Sequence, residues 1–295
     1  MKSSVIVCPV NASAGARAAI AQAASLARVR YEELHLLYVP REPGRRPRGT
    51  HGEEEVHPVI AEAIESMLVA ALGRGQHVRF RIKAQPGTAE SAIALYARRH
   101  RAGLIVLSAR YRARRGASGL SLARSLGRSA PCPVLVVAGT VPREDKAARA
   151  SFRQVVCAVD FTKVSVSALE AAAALSPRSG GRMTLVHAVQ DVPRGMVFSG
   201  SEAMQLARAH ARHAAAASRR LRRLVPAAVS KRYRVRVSVG SGPPSLRIVE
   251  VASEIKADLI VMGMPRRSRV DEWLGGSTSR AVLPRAESPV LLVPA

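Results

Sequence analysis

The chain has 295 residues, of which 47% are hydrophobic and 23% are charged, a composition typical of a folded protein and not of a disordered one. This length suits two domains better than one, and the longest apolar runs fall short of the roughly 18 residues that span a bilayer. Lys and Arg total 46 against 21 acids, a formal charge of +25, so the surface should attract phosphates and polyanions.

The cysteines and the N-terminus indicate the compartment. Cys8, Cys132 and Cys157 are widely spaced and odd in number, so neither a disulfide framework nor a zinc site is predicted. The first apolar run is short and is interrupted by Pro9, and it does not resemble an export signal. We therefore expect a cytoplasmic protein without a metal site.

Strands and helices are predicted to alternate along the chain. First-half strands are expected at Val5 to Val7, Leu34 to Tyr38, Val78 to Ile82, Leu104 to Leu107 and Val134 to Val137. Second-half strands are expected at Val155 to Val159, Met183 to Val189, Tyr233 to Val239, Leu259 to Met262 and Val290 to Val293, with helices at Ser165 to Leu175, Ser201 to Leu224, Pro244 to Lys256 and Ser277 to Pro284. This alternation predicts an α/β fold in which helices cover both faces of a parallel sheet.

The two halves are copies of one domain. The segment VIVCPVN at 5–11 matches VVCAVDF at 155–161, with Cys8 on Cys157, and two later strands match in the same order. The sequence thus predicts a domain at 1–141, a linker at 142–150 and a domain at 151–295. The apolar closing strands of the two copies are expected to pair with each other within one chain, since sheet edges invite a partner.

A candidate phosphate site follows the fourth strand of the second half. That strand ends at Gly263, and after Arg266 and nine further residues the segment Gly276-Ser277-Thr278-Ser279 opens a helix. The backbone N–H groups and positive dipole end of such a helix attract anions. The same serine and threonine residues are also preferred simply as helix N-caps, so both interpretations stay open at this point.

The spacing resembles the universal stress protein family, in which the fourth strand is followed by Gly, two residues, Gly, nine residues, Gly and then Ser or Thr. The resemblance extends to Asp160 after the first strand of the second half, to the run 257–263 and to the closing run 288–293. It covers both halves and implies two tandem Rossmann-like domains, each with a five-stranded parallel sheet of the kind found in adenine nucleotide alpha hydrolases. It also implies dimerisation through the last strand.

In its ATP-binding members the family has an adenine-nucleotide pocket, which the resemblance places in the second half of this chain. Carried over, Asp160 would contact the ribose or adenine end and Val189 would flank the base. The full set of implied nucleotide-binding residues is Asp160, Val189, Met262, Gly263, Arg266, Gly276, Ser277, Thr278 and Ser279. The expected ligand is ATP, with Mg²⁺, in a regulator or stress-survival factor.

One residue of the second copy departs from the family pattern. Arg266 stands at the second glycine, where it either fills the phosphate space or pairs with phosphate oxygens through its guanidinium. The first copy departs further, because Asn11, Ser108, Tyr111 and Leu120-Ser121 replace the matching Asp160, Gly263, Arg266 and Gly276-Ser277. We therefore expect nucleotide binding by the second half alone.

Other functions are weighed against this interpretation. No grouping of nucleophile, base and acid is found in the sequence, so catalytic residues are not expected, although slow ATP hydrolysis stays an alternative. A scaffold of the same fold without nucleotide is another. The arginines of the helix Ser201 to Leu224 are interpreted as a solvated face, so neither nucleic acid nor a membrane is expected as a partner. A homodimer of whole chains stays open.

Overall fold

The computed structural model describes residues 5–11, 14–40, 53–72, 75–109, 119–137, 151–175, 180–189, 200–265 and 277–295. The chain divides into two compact units. The first unit is formed by residues up to Ser151 and takes in the last strand of the chain, within Pro289–Ala295. The second unit is built from Phe152–Gly263 and continues to Ser288.

The first unit is an α/β sheet with the strand order β3-β2-β1-β4-β5-β10. Its strands are β1 (Val5–Val10), β2 (Glu33–Tyr38), β3 (Phe80–Ala84), β4 (Ala102–Ser108), β5 (Val134–Val137) and β10 (Val290–Pro294), and its helices are α1 (Ala14–Arg30), α2 (Pro58–Leu72), α3 (Ala89–Arg99) and α4 (Gly119–Ser129). Strands β1 to β5 pair in parallel. Their short apolar runs are almost wholly buried, as in a parallel sheet covered on both faces.

The second unit has the strand order β9-β6-β7-β8, again parallel. Its strands are β6 (Gln154–Ala158), β7 (Gly181–Val189), β8 (Tyr233–Ser241) and β9 (Leu259–Met264), and its helices are α5 (Lys163–Ala174), α6 (Gly200–Arg223), α7 (Ala227–Ser230), α8 (Pro244–Glu254) and α9 (Ser277–Val282). The Asp258 carboxylate accepts hydrogen bonds from the backbone N–H groups of Arg153 and Gln154 at 2.9 and 3.0 Å. This contact fixes the start of β9 beside the start of β6.

Two neighbouring residues at the end of β8 show that helices cover both faces of this sheet. Ser241 Oγ lies 2.5 Å from Nε2 of His210 on α6, whereas a Cβ on Gly240 would meet the guanidinium of Arg247 on α8. Successive residues of a strand point to opposite faces. Helices α6 and α8 therefore lie on opposite sides of the second sheet.

The fold class and its strand–helix alternation are confirmed, with shifted boundaries. Strand β1 runs on through Pro9 to Val10, because beyond Val7 it pairs only with β2 and a missing N–H on the β4 side breaks no ladder. Strand β3 begins two residues later than predicted, and the short helix α7 was not predicted. Strand β10 pairs antiparallel with β5, Leu291 facing Leu135, as the sequence predicts for the closing strands.

The buried face of α6 differs from the one expected from the sequence. Apolar spacing predicts a core stripe of Met204, Ala207, Ala211, Ala214, Leu221 and Val225. Of these Leu221 is fully buried and Ala214 and Val225 are half-buried, whereas the first three are exposed, Met204 by 58%. The helix also packs through His210, which contacts Ser241 at the end of β8. Alanine and methionine give a weak periodic signal, and a polar histidine contributes to the packed face.

Candidate functional site

The site predicted from the sequence is at the carboxyl ends of β6 and β9, where ligands bind in open α/β sheets. Asp160 is exposed two residues beyond β6. Its Oδ1 accepts hydrogen bonds from the backbone N–H and the hydroxyl of Thr162, at 3.1 and 2.6 Å, while Thr162 in turn caps α5 by accepting from the N–H of Ser165. Asp160 Oδ2 makes no hydrogen bond within the described part of the chain, so one carboxylate oxygen is oriented and available.

The backbone beside Asp160 is strained. Phe161 has a φ of 65°, in the left-handed region that costs a bulky residue roughly 1–3 kcal/mol. Its ring centroid lies 4.4 Å from that of His187, and the Arg220 guanidinium lies 4.2 Å above the same ring. These two contacts hold Phe161 in its conformation and thereby fix the turn that presents Asp160.

His187 joins the exits of two strands. Its Nδ1–H donates to the carbonyl oxygen of Val159 at 2.7 Å, which ties the end of β7 to the residue that precedes Asp160. Sequence reasoning did not select Phe161, His187 or Arg220. The aromatic residue directly after the strand-exit acid was the signal available in the sequence, but its partners come from β7 and α6 and are brought together only by the fold.

Gly263 lies where β9 meets the first turn of α5. A Cβ at this position would be 3.0 Å from both Ser165 N and the Val164 carbonyl carbon, closer than side chains pack without a shift. The absence of a side chain is therefore required by packing, whether or not a ligand is bound. Gly263 is half-buried and leaves the backbone of β9 near the exit accessible.

The remaining predicted residues differ in burial, and two of them lie outside the described residues. Val189 is the half-buried last residue of β7, and Met262 is 4% exposed and pairs with Ala158. Ser277 begins α9, Thr278 is half-buried, and Ser279 is 3% exposed with no hydrogen-bond partner for its Oγ among the described residues. Arg266 and Gly276 lie outside the described residues, so the question of whether Arg266 blocks or clamps a phosphate stays a prediction.

The equivalent strand exit of the first unit is closely packed. Gly119 opens α4, and a Cβ there would be 2.5 Å from the carbonyl oxygen of Ala109 and 2.6 Å from that of Ser108. The first turn of the helix thus lies directly on the backbone that leaves β4. Asn11, which follows β1, and Leu120, in the first turn of α4, are half-buried, whereas Tyr111 lies outside the described residues.

The cysteine thiols are structural. Cys8, Cys132 and Cys157 are free and buried, and burial raises the pKa of Cys132 to about 12 and that of the other two further still. Such thiols are poor nucleophiles at neutral pH. Within the described ranges no three His, Cys, Asp or Glu side chains are grouped as metal ligands, and no helix there is long and apolar enough to cross a membrane.

Comparison with known proteins gives a consistent assignment. A model described as the Universal stress protein family matches residues 3–138 and again residues 151–294. The crystal structure of a universal stress protein from Archaeoglobus fulgidus DSM 4304 superposes with a TM-score of 0.61 at 19% identity, over 98% of this chain and 96% of that one. A putative universal stress protein from Pseudomonas aeruginosa UCBPP-PA14 gives 0.59 at 18% identity, over 99% and 94%. No curated protein matches the sequence.

Proposed function

The chain belongs to the universal stress protein family, in its tandem form, and on that premise we propose that its C-terminal half binds ATP, carried as the Mg²⁺ complex, in a regulator or stress-survival factor. The proposal is confined to one half of the chain. The N-terminal half is its structural partner, and three buried free thiols suit a reducing compartment such as the cytoplasm.

The observation that carries the proposal is the difference between the two copies at one strand exit. In the C-terminal copy an oriented, exposed carboxylate stands beyond β6, with Oδ2 of Asp160 free to accept a hydrogen bond. In the N-terminal copy the neutral Asn11 takes that place, and Gly119 presses α4 against the end of β4. Only the C-terminal copy has in its sequence both an acid after its first strand and the segment Gly276-Ser277.

The residues present fit an adenine nucleotide in the following roles. Asp160 accepts hydrogen bonds from the ribose hydroxyls, and Val189 flanks the base. The backbones of Met262 and Gly263 line the pocket, while Gly276 and Ser277 to Ser279 offer N–H and hydroxyl donors to phosphate oxygens. The buried Oγ of Ser279, orphaned among the described residues, is a polar atom of the kind that a bound oxygen satisfies. Arg266 adds a charge-assisted donor.

Binding without dedicated catalysis is part of the proposal. Asp160 Oδ1 is already engaged by two donors of Thr162, and the matched motif holds neither a general base nor a pair of metal-binding carboxylates beside it. The two alternatives make different predictions. A slow hydrolase would release phosphate in proportion to bound ATP, and a scaffold would bind no ATP at all.

The test is a titration of the full chain with a fluorescent ATP analogue in the presence of Mg²⁺. Asp160→Ala should weaken binding about tenfold or more, since hydrogen bonds to charged groups contribute about 1.5–3 kcal/mol. Asn11→Ala, the matched change in the other copy, should leave the affinity within twofold. Absence of binding at millimolar nucleotide would favour the scaffold, and equal losses in both variants would contradict the assignment to one half.

A further inference from the structure

Helix α6 presents a row of arginines on the side opposite its packed face. Arg208, Arg212, Arg219, Arg222 and Arg223 are all exposed, and at about 100° per residue they fall within an arc of roughly 100°. We call these five residues the arginine stripe. The opposite side of α6 carries His210 and Leu221, which contact the second sheet. The stripe is therefore directed away from the protein.

The stripe carries uncompensated positive charge. None of its five arginines makes a hydrogen bond or an ion pair with any residue that the structure describes. Arg220, which lies in the same segment of the helix, is different because its guanidinium lies over the Phe161 ring. The nearest acid within α6 is Glu202 in the first turn, more than one helical turn before Arg208. The described surface thus holds a cationic row without a counterion of its own.

This arrangement costs the helix stability. Like charges four residues apart, as in Arg208/Arg212 and Arg219/Arg223, destabilise a helix. Arg222 and Arg223 are in the last turn, where the helix dipole favours cations. Arg208 and Arg212 lie in the middle of α6, where the dipole offers no such compensation. A face that only contacts water usually mixes the two signs, and this one does not.

The dimensions and chemistry of the stripe suit a nucleic-acid backbone. From Arg208 to Arg223 there are fifteen residue steps, about 22 Å at 1.5 Å per step, which is the length of roughly six successive phosphates of one DNA strand at 3.4 Å each. Guanidinium groups pair with phosphate oxygens in bidentate fashion. Between the arginines the exposed side chains are small, as at Ala211, Ala215 and Ala216, so a phosphate backbone can approach closely.

Two other polyanionic partners fit the stripe less well. Single-stranded nucleic acid is bound through aromatic side chains on which bases stack, and α6 contains no aromatic residue. A membrane surface requires a helix face of large apolar side chains that insert beside the lipid headgroups, but Leu221 of α6 is fully buried and the exposed apolar residues beside the stripe are mostly alanines. We propose that the arginine stripe of α6 binds the phosphate backbone of double-stranded DNA, without base recognition.

This proposal reverses the partner expected from the sequence, and the reason is structural. From the sequence, a run of arginines is interpreted as a solvated face. The structure adds that the five side chains are exposed on one face of α6 and have no partner among the described residues. The proposal is independent of ATP binding, because the stripe and the exit of β6 involve different residues.

The experiment measures binding of the full chain to a labelled 20-base-pair DNA duplex by fluorescence anisotropy at several salt concentrations, without nucleotide. Five phosphate contacts predict a slope of log K against log salt near −4.5, which is a loss of about 500-fold in affinity between 50 and 200 mM. The double variant Arg208→Ala/Arg212→Ala should have a slope shallower by about 1.8 and bind roughly 60-fold more weakly at 100 mM. Alanine favours helix, so α6 should stay intact by circular dichroism.

The matched control is Arg234→Ala/Arg236→Ala. Both residues are exposed on β8, on the face opposite α6, and the net charge changes by the same amount. This control should bind DNA within about threefold of the natural chain. Equal losses in the two double variants would assign the attraction to net charge and overturn the proposal. Tighter binding of a single strand of equal length, or stripe-dependent binding to phosphatidylserine vesicles without DNA binding, would overturn it as well.

Discussion

Asp160 and Asn11 occupy the same position after the first strand of each copy. The side chain is a carboxylate in the second copy and a neutral amide in the first. The carboxylate is oriented by two donors from Thr162, and a strained Phe161 fixes the turn around it. Strain of this kind persists only where surrounding contacts maintain it, here those of His187 and Arg220 with the phenyl ring. The site thus depends on side chains that do not belong to the family pattern.

We expect Arg266 to determine how phosphate is held. We favour a clamp on phosphate, because the chain has a formal charge of +25. In that case Arg266→Gly should lower the affinity for ATP about tenfold or more, since a charge-assisted contact contributes about 1.5–3 kcal/mol. The affinity for adenosine, which has no phosphate, should not change. If Arg266 instead blocks the pocket, the same change should raise the affinity for ATP. Competition titrations with both ligands separate the two cases, and no change in either ligand would contradict both.

Gly263 should affect stability even without ligand. Gly263→Ala places a Cβ 3.0 Å from the backbone at the start of α5, and such overpacking costs about 1–3 kcal/mol. Urea denaturation without nucleotide should show this loss. Gly200→Ala is the control, because no atom lies within 4 Å of its added Cβ. A Gly263→Ala variant as stable as the natural chain would show that α5 can move away from β9.

A buried polar cluster makes the first unit sensitive to pH. His35 is 4% exposed, with Nδ1 2.9 Å from the Tyr96 hydroxyl and its ring 5.1 Å from that of His100. Burial lowers the pKa of His35, an effect that Glu33 opposes only in part. The unfolded chain takes up a proton as pH falls through about 6.5, whereas the folded chain does not, so stability should fall below that pH.

This effect is measured as the thermal unfolding midpoint of the full chain at pH 7.5 and pH 5.5. His35→Gln removes the titrating group, so the drop between the two pH values should be smaller than in the natural chain by roughly 2–4 °C. His57→Gln, a change of an exposed histidine, should leave the drop as it is. Identical drops in all three proteins would show that His35 is not the group responsible.

At the scale of elements, the closing strands make the clearest prediction. Leu291→Pro removes a backbone donor in the middle of β10, where Leu291 faces Leu135 of β5. An orphaned buried acceptor costs about 1–3 kcal/mol, so the urea midpoint of the first unit should fall. Leu291→Val keeps the N–H and should cost less than about 1.5 kcal/mol. Equal stability of the proline variant would argue against the pairing.

The elements were predictable to different degrees for physical reasons. Short apolar runs such as Val134–Val137 are bounded by turn residues and gave the strands almost as the structure has them. The packed face of α6 was not predictable, because alanines fit either environment and His210 is held by Ser241 from another element. At the site, Asp160 and Gly263 could be selected from spacing, whereas the close approach of Gly119 to the end of β4 is a tertiary contact that the sequence does not indicate.

At the scale of the whole molecule, the duplication gives one copy with the candidate site and a second copy in which matched variants serve as controls. The first unit includes the last strand of the chain, so a chain cut at the linker would separate β10 from β5. Full-length variants that alter one copy at a time avoid this damage. Together the two proposals assign ATP to the exits of β6 and β9 and DNA to the arginine stripe of α6.

The most direct test of the central claim is the stoichiometry of ATP binding by calorimetry, with Mg²⁺ and the full chain. One site per chain is predicted, because only the C-terminal copy has an oriented carboxylate at the exit of its first strand together with the segment Gly276-Ser277. The single site should be lost or strongly weakened in Asp160→Ala and retained in Asn11→Ala. Two sites per chain, or one site that disappears with Asn11 and survives the loss of Asp160, would contradict the account.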